Sequence, residues 1–203
     1  MPTSPVEACA GFVLAGGFSS RMGKDKALLE ISGAALVVRA ARLAAAECAP
    51  VTIVGRLEDS ARFGFPAIAD ERPRLGPLGG ILTALDHTAA AWNLILACDL
   101  PYLTGEWLRF LISRARASRA RVVLPVSASG PEPLCAVYHR ASARPIRSRL
   151  EQGILKITEA IEAAGVERIS PEEILPFDAR GVLFQNLNTP ADYERARADL
   201  EGE

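Results

Sequence analysis

Residues 11–26 have the sequence GFVLAGGFSSRMGKDK, which contains an apolar run and the loop that follows it. Residues 11–15 are unbroken by polar side chains, as is typical of a strand covered on both faces. Gly16 and Gly17 come next, so the backbone can turn sharply and approach a ligand closely. Ligands of open α/β sheets bind beyond the carboxyl ends of the strands. The stretch therefore predicts the first strand of an α/β sheet, with a ligand-binding loop at its carboxyl end.

Further apolar runs alternate with stretches of helical periodicity along the whole chain. The predicted strands cover residues 11–15, 51–54, 93–97, 122–126 and 135–139. The predicted helices cover residues 34–47, 78–87, 104–117, 141–151, 154–164 and 191–200. This alternation favours a mostly parallel sheet with helices on both faces.

Composition excludes several classes of protein. The 203 residues are 49% hydrophobic and 23% charged, which excludes global disorder. Because the chain has 23 basic and 24 acidic residues, a nucleic-acid binder that relies on bulk positive charge is disfavoured. The four cysteines have no C-x-x-C spacing and are expected to be buried thiols rather than zinc ligands. Without a recognisable signal peptide or an apolar segment of about 20 residues, we expect a soluble cytoplasmic protein that binds no membrane.

The loop after the first strand carries groups that suit phosphate. Donors and positive charges follow the two glycines: Ser19, Ser20, Arg21, Lys24 and Lys26. Backbone N–H groups in such a loop can also cradle phosphate oxygens. The loop is not a Walker A motif, because five residues separate Gly17 from Gly23 and Asp25 follows the lysine. The Rossmann G-x-G-x-x-G pattern is also absent, so these residues alone leave an ordinary surface loop as an alternative.

Two carboxylates follow predicted strands. Asp99 ends the apolar run at 93–98, and Asp70 follows the apolar run at 65–69. Mg²⁺ prefers carboxylate and phosphate oxygens, so Asp99 is a candidate metal ligand; the alternative is a helix cap ahead of Pro101. Asp70 is a candidate acceptor for N–H or hydroxyl groups of a ligand.

Two more polar segments are candidates for substrate contact. Residues 76–80 (GPLGG) open a predicted helix, where a flat base can lie against the backbone; a simple tight turn is the alternative. Asn186 and Asn188 are predicted to alternate along one strand, so that both side chains point the same way. Asn188 is equally suited to capping the helix that follows it.

Taken together, these segments resemble one family. The pattern L-A-G-G-x-S-x-R-M-G-x-D-K-A at 14–27 is similar to the signature of molybdenum cofactor guanylyltransferases, which are nucleotidyltransferases. Four more segments resemble family motifs in the same order: Asp70 with 76–80, ACDLPY at 97–102, PLCAVY at 133–138 and NLNTP at 186–190. The resemblance implies a three-layer α/β/α Rossmann-like fold in a single nucleotidyltransferase domain over residues 1–203. One departure is Gly55, where some members carry an Asn that contacts the nucleotide.

The resemblance also implies a reaction and its residues. GMP would pass from GTP to the phosphate of molybdopterin with release of pyrophosphate, and Mg²⁺ would be the cofactor, held by Asp99. Arg21, Lys26 and Asp99 would be catalytic. The residues expected to bind nucleotide are Leu14, Ala15, Gly16, Gly17, Lys26, Asp70, Gly79, Asp99, Asn186 and Asn188. The implied partners are GTP and molybdopterin, together with proteins of cofactor biosynthesis and acceptor molybdoenzymes.

Three other functions remain open from the sequence. In members that transfer cytidylyl groups, Ala-Ala-Gly tends to stand in place of Ala15-Gly16-Gly17, so the second glycine here favours GTP. Sugar-1-phosphate nucleotidyltransferases share a glycine-rich start but are usually longer. A nucleotide-binding regulator without catalysis would not need Arg21, Lys26 and Asp99.

Overall fold

The structure, a computed structural model, describes residues 8–15, 26–55 and 63–202. The strands are β1 (Cys9–Leu14), β2 (Glu30–Ile31), β3 (Ala34–Ala35), β4 (Val51–Val54), β5 (Ala67–Ile68), β6 (Trp92–Ala97), β7 (Val122–Ser127), β8 (Gly130–Pro131), β9 (Cys135–His139) and β10 (Val166–Ile169). The α-helices are α1 (Leu36–Ala45), α2 (Pro77–His87), α3 (Gly105–Ala117), α4 (Ala143–Glu151), α5 (Ile157–Glu162), α6 (Pro171–Ile174) and α7 (Pro190–Glu201). Short 3₁₀ helices cover Lys26–Leu28, Pro73–Leu75, Arg140–Ser142 and Leu175–Phe177.

The main sheet is mostly parallel. Seven of its strands follow the order β10-β7-β9-β6-β1-β4-β5, and β8 pairs with β7 at one end. Strands β6, β1, β4 and β5 run parallel to one another, whereas β9 is antiparallel to both β6 and β7. The parallel strands therefore present their carboxyl ends at a single edge of the sheet.

Helices cover both faces of the sheet, and each face has its own core. On one face, α1, α3 and α6 pack around side chains such as Val13, Leu94 and Leu96. On the other face, α2, α4 and α5 pack around Phe12 and Ile95. Successive residues of a strand point to opposite faces, so β1 and β6 must be apolar throughout. This arrangement confirms the predicted three-layer α/β/α fold.

A third, smaller core joins the β2–β3 hairpin to α7. Its buried members are Ile31, Leu36, Tyr102, Leu187 and Ala196. The hairpin turns at Ser32 and Gly33, which have φ angles of 52° and 70°. Positive φ at both central residues is the requirement of a type I′ turn, and glycine meets it without strain.

The predicted elements agree with the observed ones in the middle of the chain, where the hydrophobic pattern is strong. Two differences concern polar or very short strands. β10 was not predicted because its sequence, VERI, carries two charged residues. The helix expected over 34–47 begins only at Leu36, because Ala34–Ala35 forms β3. Within the described residues, the helices are too short or too polar to cross a membrane.

Candidate active site

The candidate site lies at the carboxyl edge of the parallel strands. Leu14 of β1 pairs with Ala97 of β6 and with Val54 of β4, and Val54 pairs with Ile68 of β5. These four residues form one row across the sheet. Because Asp99 and Asp70 each lie two residues beyond this row, the register places both carboxylates at the same edge, as the sequence predicted.

Lys26, Asp99 and Asn188 meet at this edge. The Lys26 ammonium lies 3.8 Å from a carboxylate oxygen of Asp99, and the two side chains are only 20% and 23% exposed. The same ammonium donates to the Asn188 side-chain oxygen at 3.3 Å. Asp99 and Asn188 therefore share one cation, which lies 162 positions before Asn188 in the chain. The arrangement brings together three of the residues that the sequence analysis singled out.

The carboxylate of Asp99 sits in an environment that disfavours its charge. Burial raises its pKa above the ordinary value of 3.8, while the Lys26 ammonium acts in the opposite direction. A partly buried carboxylate of this kind gains from any further cation that reaches it. The site is therefore suited to positive charge brought by a ligand or metal.

The alternative role for Asp99, capping a helix that begins near Pro101, does not match the structure. Helix α3 begins at Gly105, and its N-cap is Thr104, whose hydroxyl accepts from the backbone N–H of Trp107 at 3.2 Å. Asp99 instead lies in the turn that follows β6. Its backbone carbonyl accepts from the N–H of Leu187 at 3.1 Å, which ties this turn to the C-terminal segment.

Asp70 is held in a network of short hydrogen bonds. One of its carboxylate oxygens accepts from the backbone N–H of Arg72 at 2.8 Å and from the Thr83 hydroxyl at 3.1 Å. The hydroxyl of Thr83 also accepts from the N–H of Glu71 at 3.2 Å. Thr83 was missed by the sequence analysis, although it lies four residues after Gly79 on α2 and thus on the same helix face.

Gly79 has a packing role that the sequence did not reveal. A Cβ at this position would lie 2.2 Å from the backbone carbonyl oxygen of Arg72. Real Cβ atoms do not approach backbone so closely, so glycine is required for the turn before α2 to pack on the helix. The predicted contact between Gly79 and a nucleotide base stays a prediction.

Arg72 and Arg74 flank this turn and differ in their partners. Arg72 forms ion pairs with Asp86 at 3.0 Å and with Glu71 at 3.6 Å. Arg74 is exposed and forms no ion pair with the described residues. Of these two arginines, Arg74 is therefore the one whose positive charge is not paired with a carboxylate of the described residues.

Leu14 and Ala15 form backbone hydrogen bonds to the neighbouring strands at the site. The Leu14 carbonyl accepts from the N–H of Cys98 at 3.2 Å, and the Ala15 N–H donates to the Val54 carbonyl at 2.8 Å. The side chain of Leu14 packs against Gly80 of α2. Both residues thus fix where the loop leaves β1, and their proposed contact with nucleotide stays a prediction.

The predicted strand through Asn186 and Asn188 is wrong. Residues 185–188 form no strand; among the described residues, the backbone bond from this segment to the sheet edge is the single one from the Leu187 N–H to the Asp99 carbonyl. Exposed Asn186 and Asn188 still flank the buried Leu187, as alternation requires. Asn188 is not the helix cap either: the N-cap of α7 is Thr189, which forms a capping box with Asp192.

Gly16, Gly17 and Arg21, which the sequence analysis assigned to the site, lie outside the described residues. Their assignment stays a prediction. The described residues on either side, Ala15 and Lys26, place the ends of the loop at the edge that holds Asp99.

Asp70 and Asp99 are separated by a distance that matters for the ligand. The strands they follow, β5 and β6, are three strand spacings apart in the sheet. At about 4.8 Å for each spacing, the ends of these two strands are about 14 Å apart across the edge. This span matches an extended nucleoside triphosphate, with its base near one carboxylate and its phosphates near the other. The arrangement can therefore hold both ends of such a ligand.

The chain is similar in sequence to proteins of one family. The sequence profile of the MobA-like NTP transferase domain matches residues 11–165. A protein of Pelotomaculum thermopropionicum, named a probable molybdenum cofactor guanylyltransferase, is 34% identical over 192 residues, which cover 94% of this chain and 93% of the relative. A Bacillus cereus protein of the same name is 29% identical over 200 residues, covering 96% and 98% of the two chains.

Solved structures extend the comparison to the fold. Molybdopterin-guanine dinucleotide biosynthesis protein A from Archaeoglobus fulgidus superposes with a TM-score of 0.82 at 27% identity, covering 96% of this chain and all of that one. CMP:2-keto-3-deoxy-manno-octonic acid synthetase complexed with CTP shares the fold at 15% identity, with a TM-score of 0.75 over 96% of this chain and 99% of that one. The profile match over most of the chain, together with these relatives, shows that the chain belongs to the MobA-like NTP transferase family of nucleotidyltransferases.

Proposed function

We propose that the protein transfers GMP from GTP to the phosphate of molybdopterin and releases pyrophosphate. The contact of Lys26 with Asp99 and Asn188 carries this proposal, because it sets a cation and a carboxylate at the sheet edge where this fold binds ligands. The names of the relatives, molybdenum cofactor guanylyltransferases over nearly the whole chain, support the choice of substrates.

The proposed reaction needs little proton transfer from the protein. The acceptor is a phosphate that is already ionised at neutral pH, so no residue has to act as a general base. Catalysis then depends on positioning the two phosphates and on neutralising their charge. Lys26 supplies positive charge at the edge, and Asn188 orients the Lys26 side chain by accepting its hydrogen bond.

The donor set fits Mg²⁺. Within the described residues, no cluster of three or more His, Cys, Asp or Glu side chains could hold a metal by protein ligands alone. Asp99 offers one carboxylate that is 23% exposed, and Mg²⁺ is commonly held by one or two carboxylates plus substrate phosphates and water. Asp99 would hold the ion, which when bound supplies positive charge to the phosphate oxygens.

Asp70 is the residue proposed to read the guanine base or the ribose. A carboxylate has about four lone-pair sites, and the Arg72 N–H and the Thr83 hydroxyl together occupy only part of this capacity. The remaining capacity suits the N–H groups of guanine or a ribose hydroxyl. Because leaving a buried polar group unpaired is costly, a base without matching donors is expected to bind less tightly.

The proposal is tested by supplying nucleoside triphosphates one at a time, with Mg²⁺ and molybdopterin. We expect pyrophosphate release with GTP, dependent on molybdopterin, together with a dinucleotide product detected by mass spectrometry. An equal or faster reaction with CTP would replace guanylyl by cytidylyl transfer and leave the family unchanged. Binding of GTP without pyrophosphate release from any triphosphate would instead favour a nucleotide-binding regulator.

A further inference from the structure

A cleft of about 440 Å³ lies on the far side of the turn that carries Asp99. One wall is a face of helix α1, formed by residues at helical spacing such as Leu36, Ala40 and Leu43. The opposite wall is the segment after β6, with Leu100 and Pro101. Its walls are thus somewhat more apolar than polar, and its volume is within the range of about 300–1,000 Å³ typical of small-molecule sites.

Two arginines give this cleft a positive charge. Arg39 and Arg42 both line it, and they are neighbours on α1 because they are three residues apart. None of the described residues that line the cleft is acidic. The Glu201 carboxylate, whose pKa responds to Arg39, already accepts from the Ser32 N–H and pairs with Arg197.

The two guanidinium groups have unused hydrogen-bonding capacity. Arg39 donates to the carbonyl of Ile31 at 3.3 Å, but its Nε is buried without a partner among the described residues. An arginine has five N–H donors, and a buried donor without a partner costs free energy. Arg42 is exposed and makes no side-chain hydrogen bond or ion pair with the part of the chain that the structure describes.

We infer that this cleft binds a small organic anion, consisting of an apolar body with one carboxylate or phosphate group. The apolar walls would cover the body, and the guanidinium groups of Arg39 and Arg42 would bind the anionic oxygens, for which their planar, forked donors are suited. The inference does not depend on the proposed reaction, since the Lys26 contact lies outside this cleft.

The cleft lies beside the candidate active site, so that an occupant would contact residues next to Asp99. Cys98 and Leu100 both line the cleft, and they are the two neighbours of Asp99 in the chain. A bound anion would therefore touch both residues that flank the carboxylate. Cys98 also provides a direct readout, because it is partly exposed whereas Cys9, Cys48 and Cys135 are buried.

The test measures how fast N-ethylmaleimide alkylates Cys98, using mass spectrometry of the digested protein. Phenyl phosphate serves as the probe, in the absence of nucleotide and metal. If it occupies the cleft, alkylation at a concentration ten times its Kd should slow by about tenfold, as simple mass action requires. Isothermal calorimetry supplies the Kd and an independent record of binding.

Matched variants and ligands separate this cleft from other sites. Protection should persist in Arg144→Met, which removes an exposed arginine from α4 on the other face of the sheet, and in Lys26→Ala. It should be lost in Arg39→Met/Arg42→Met. Unchanged protection in the double variant, or loss in Lys26→Ala, would overturn the inference. If the double variant does not fold, the wild-type protein decides: equal protection by neutral benzyl alcohol or by inorganic phosphate alone would also overturn it.

Discussion

Asp99 and Asp70 follow strands at the same edge of the sheet, but their surroundings are opposite in kind. One oxygen of Asp70 accepts two hydrogen bonds, at 2.8 and 3.1 Å, from groups in or next to helix α2. Among the residues that the structure describes, the cation paired with Asp99 is Lys26, whose ammonium is 3.8 Å away, and burial raises the pKa of Asp99. Asp70 is thus fixed in place by neutral donors, whereas the charge of Asp99 is only partly compensated.

The contrast indicates two different uses for the same type of side chain. A carboxylate locked by short hydrogen bonds keeps one orientation, which suits recognition of a ligand edge by shape and donor pattern. A partly buried carboxylate whose charge is only partly compensated is stabilised in its ionised form when more positive charge arrives. We therefore expect substitutions near Asp99 to affect mainly turnover, and substitutions near Asp70 to affect mainly the choice of base.

The largest effect is expected for Asp99→Asn. The substitution keeps the shape of the side chain and removes its charge, so the proposed guanylyl transfer should slow by at least about 100-fold, or about 3 kcal/mol in the barrier. Steady-state pyrophosphate release measures the change. Glu159→Gln, which neutralises an exposed carboxylate on α5, is the control and should leave the rate unchanged. A rate in Asp99→Asn close to that of the wild type would reduce Asp99 to a structural residue.

Lys26→Ala is expected to have the next largest effect. It removes the charge that contacts Asp99 and Asn188, and a hydrogen bond to a charged group contributes about 1.5–3 kcal/mol. GTP binding measured by calorimetry should weaken by at least about tenfold, and turnover should fall, with little change in Tm. Lys156→Ala, at a lysine that is 71% exposed, is the matched control. Full activity of Lys26→Ala at saturating GTP would show that the lysine has no part in the site.

Thr83→Val tests the surroundings of Asp70 and should change nucleotide affinity less than Lys26→Ala does. It removes the hydroxyl that donates to the Asp70 carboxylate. Because Thr83 acts on the base only through Asp70, we expect a loss of about 1 kcal/mol, or about fivefold in binding. We expect the ratio of GTP to CTP affinity to fall by about that factor while turnover at saturating GTP changes little. Thr83→Ser keeps the hydroxyl and should retain the ratio. If the wild type, Thr83→Val and Thr83→Ser all have the same ratio, the Thr83 hydrogen bond to Asp70 has no part in base selection.

The smallest effect concerns stability and pH. Because burial raises the pKa of Asp99 above 3.8, the folded protein binds this proton more tightly than the unfolded chain. The contribution of Asp99 to the free energy of unfolding is therefore fully present below pH 3.8, where the carboxyl is protonated and resembles Asn. It is lost as the pH rises through the pKa of Asp99 in the folded protein. Without metal, Asp99→Asn should match the wild-type Tm in acid and exceed it slightly at neutral pH. A lower Tm for the variant at neutral pH in scanning calorimetry would contradict the burial argument.

The sequence predicted the positions of Asp99 and Asp70 because each follows an apolar run, and parallel strands bring such ends to one edge. It could not show that Lys26 meets Asn188, since that contact joins residues 162 positions apart and depends on how α7 packs. It also could not show the Thr83 hydrogen bond to Asp70, because a threonine in an apolar helix is equally compatible with plain burial.

The segment at residues 185–188 shows where local pattern fails. Alternating exposed and buried residues are typical of a strand, yet a strand also needs a neighbour with which to pair. Here Leu187 is buried in the small core beside α7, and its N–H makes a single bond to Asp99. The alternation predicted the exposure of Asn186 and Asn188, but whether this segment has a strand to pair with is a property of the tertiary fold.

The contact between Lys26 and Asn188 also has a consequence for folding during synthesis on the ribosome. Proteins are synthesised from the N-terminus, and their early segments begin to fold before the later ones exist. Lys26 is made first, but its amide partner Asn188 follows 162 positions later, next to Leu187, which bonds to the Asp99 carbonyl. A nascent chain can therefore assemble β1, β4 and β6 before the edge that holds Asp99 is complete, and affinity for nucleotide should appear only after residues 187 and 188 have emerged and packed.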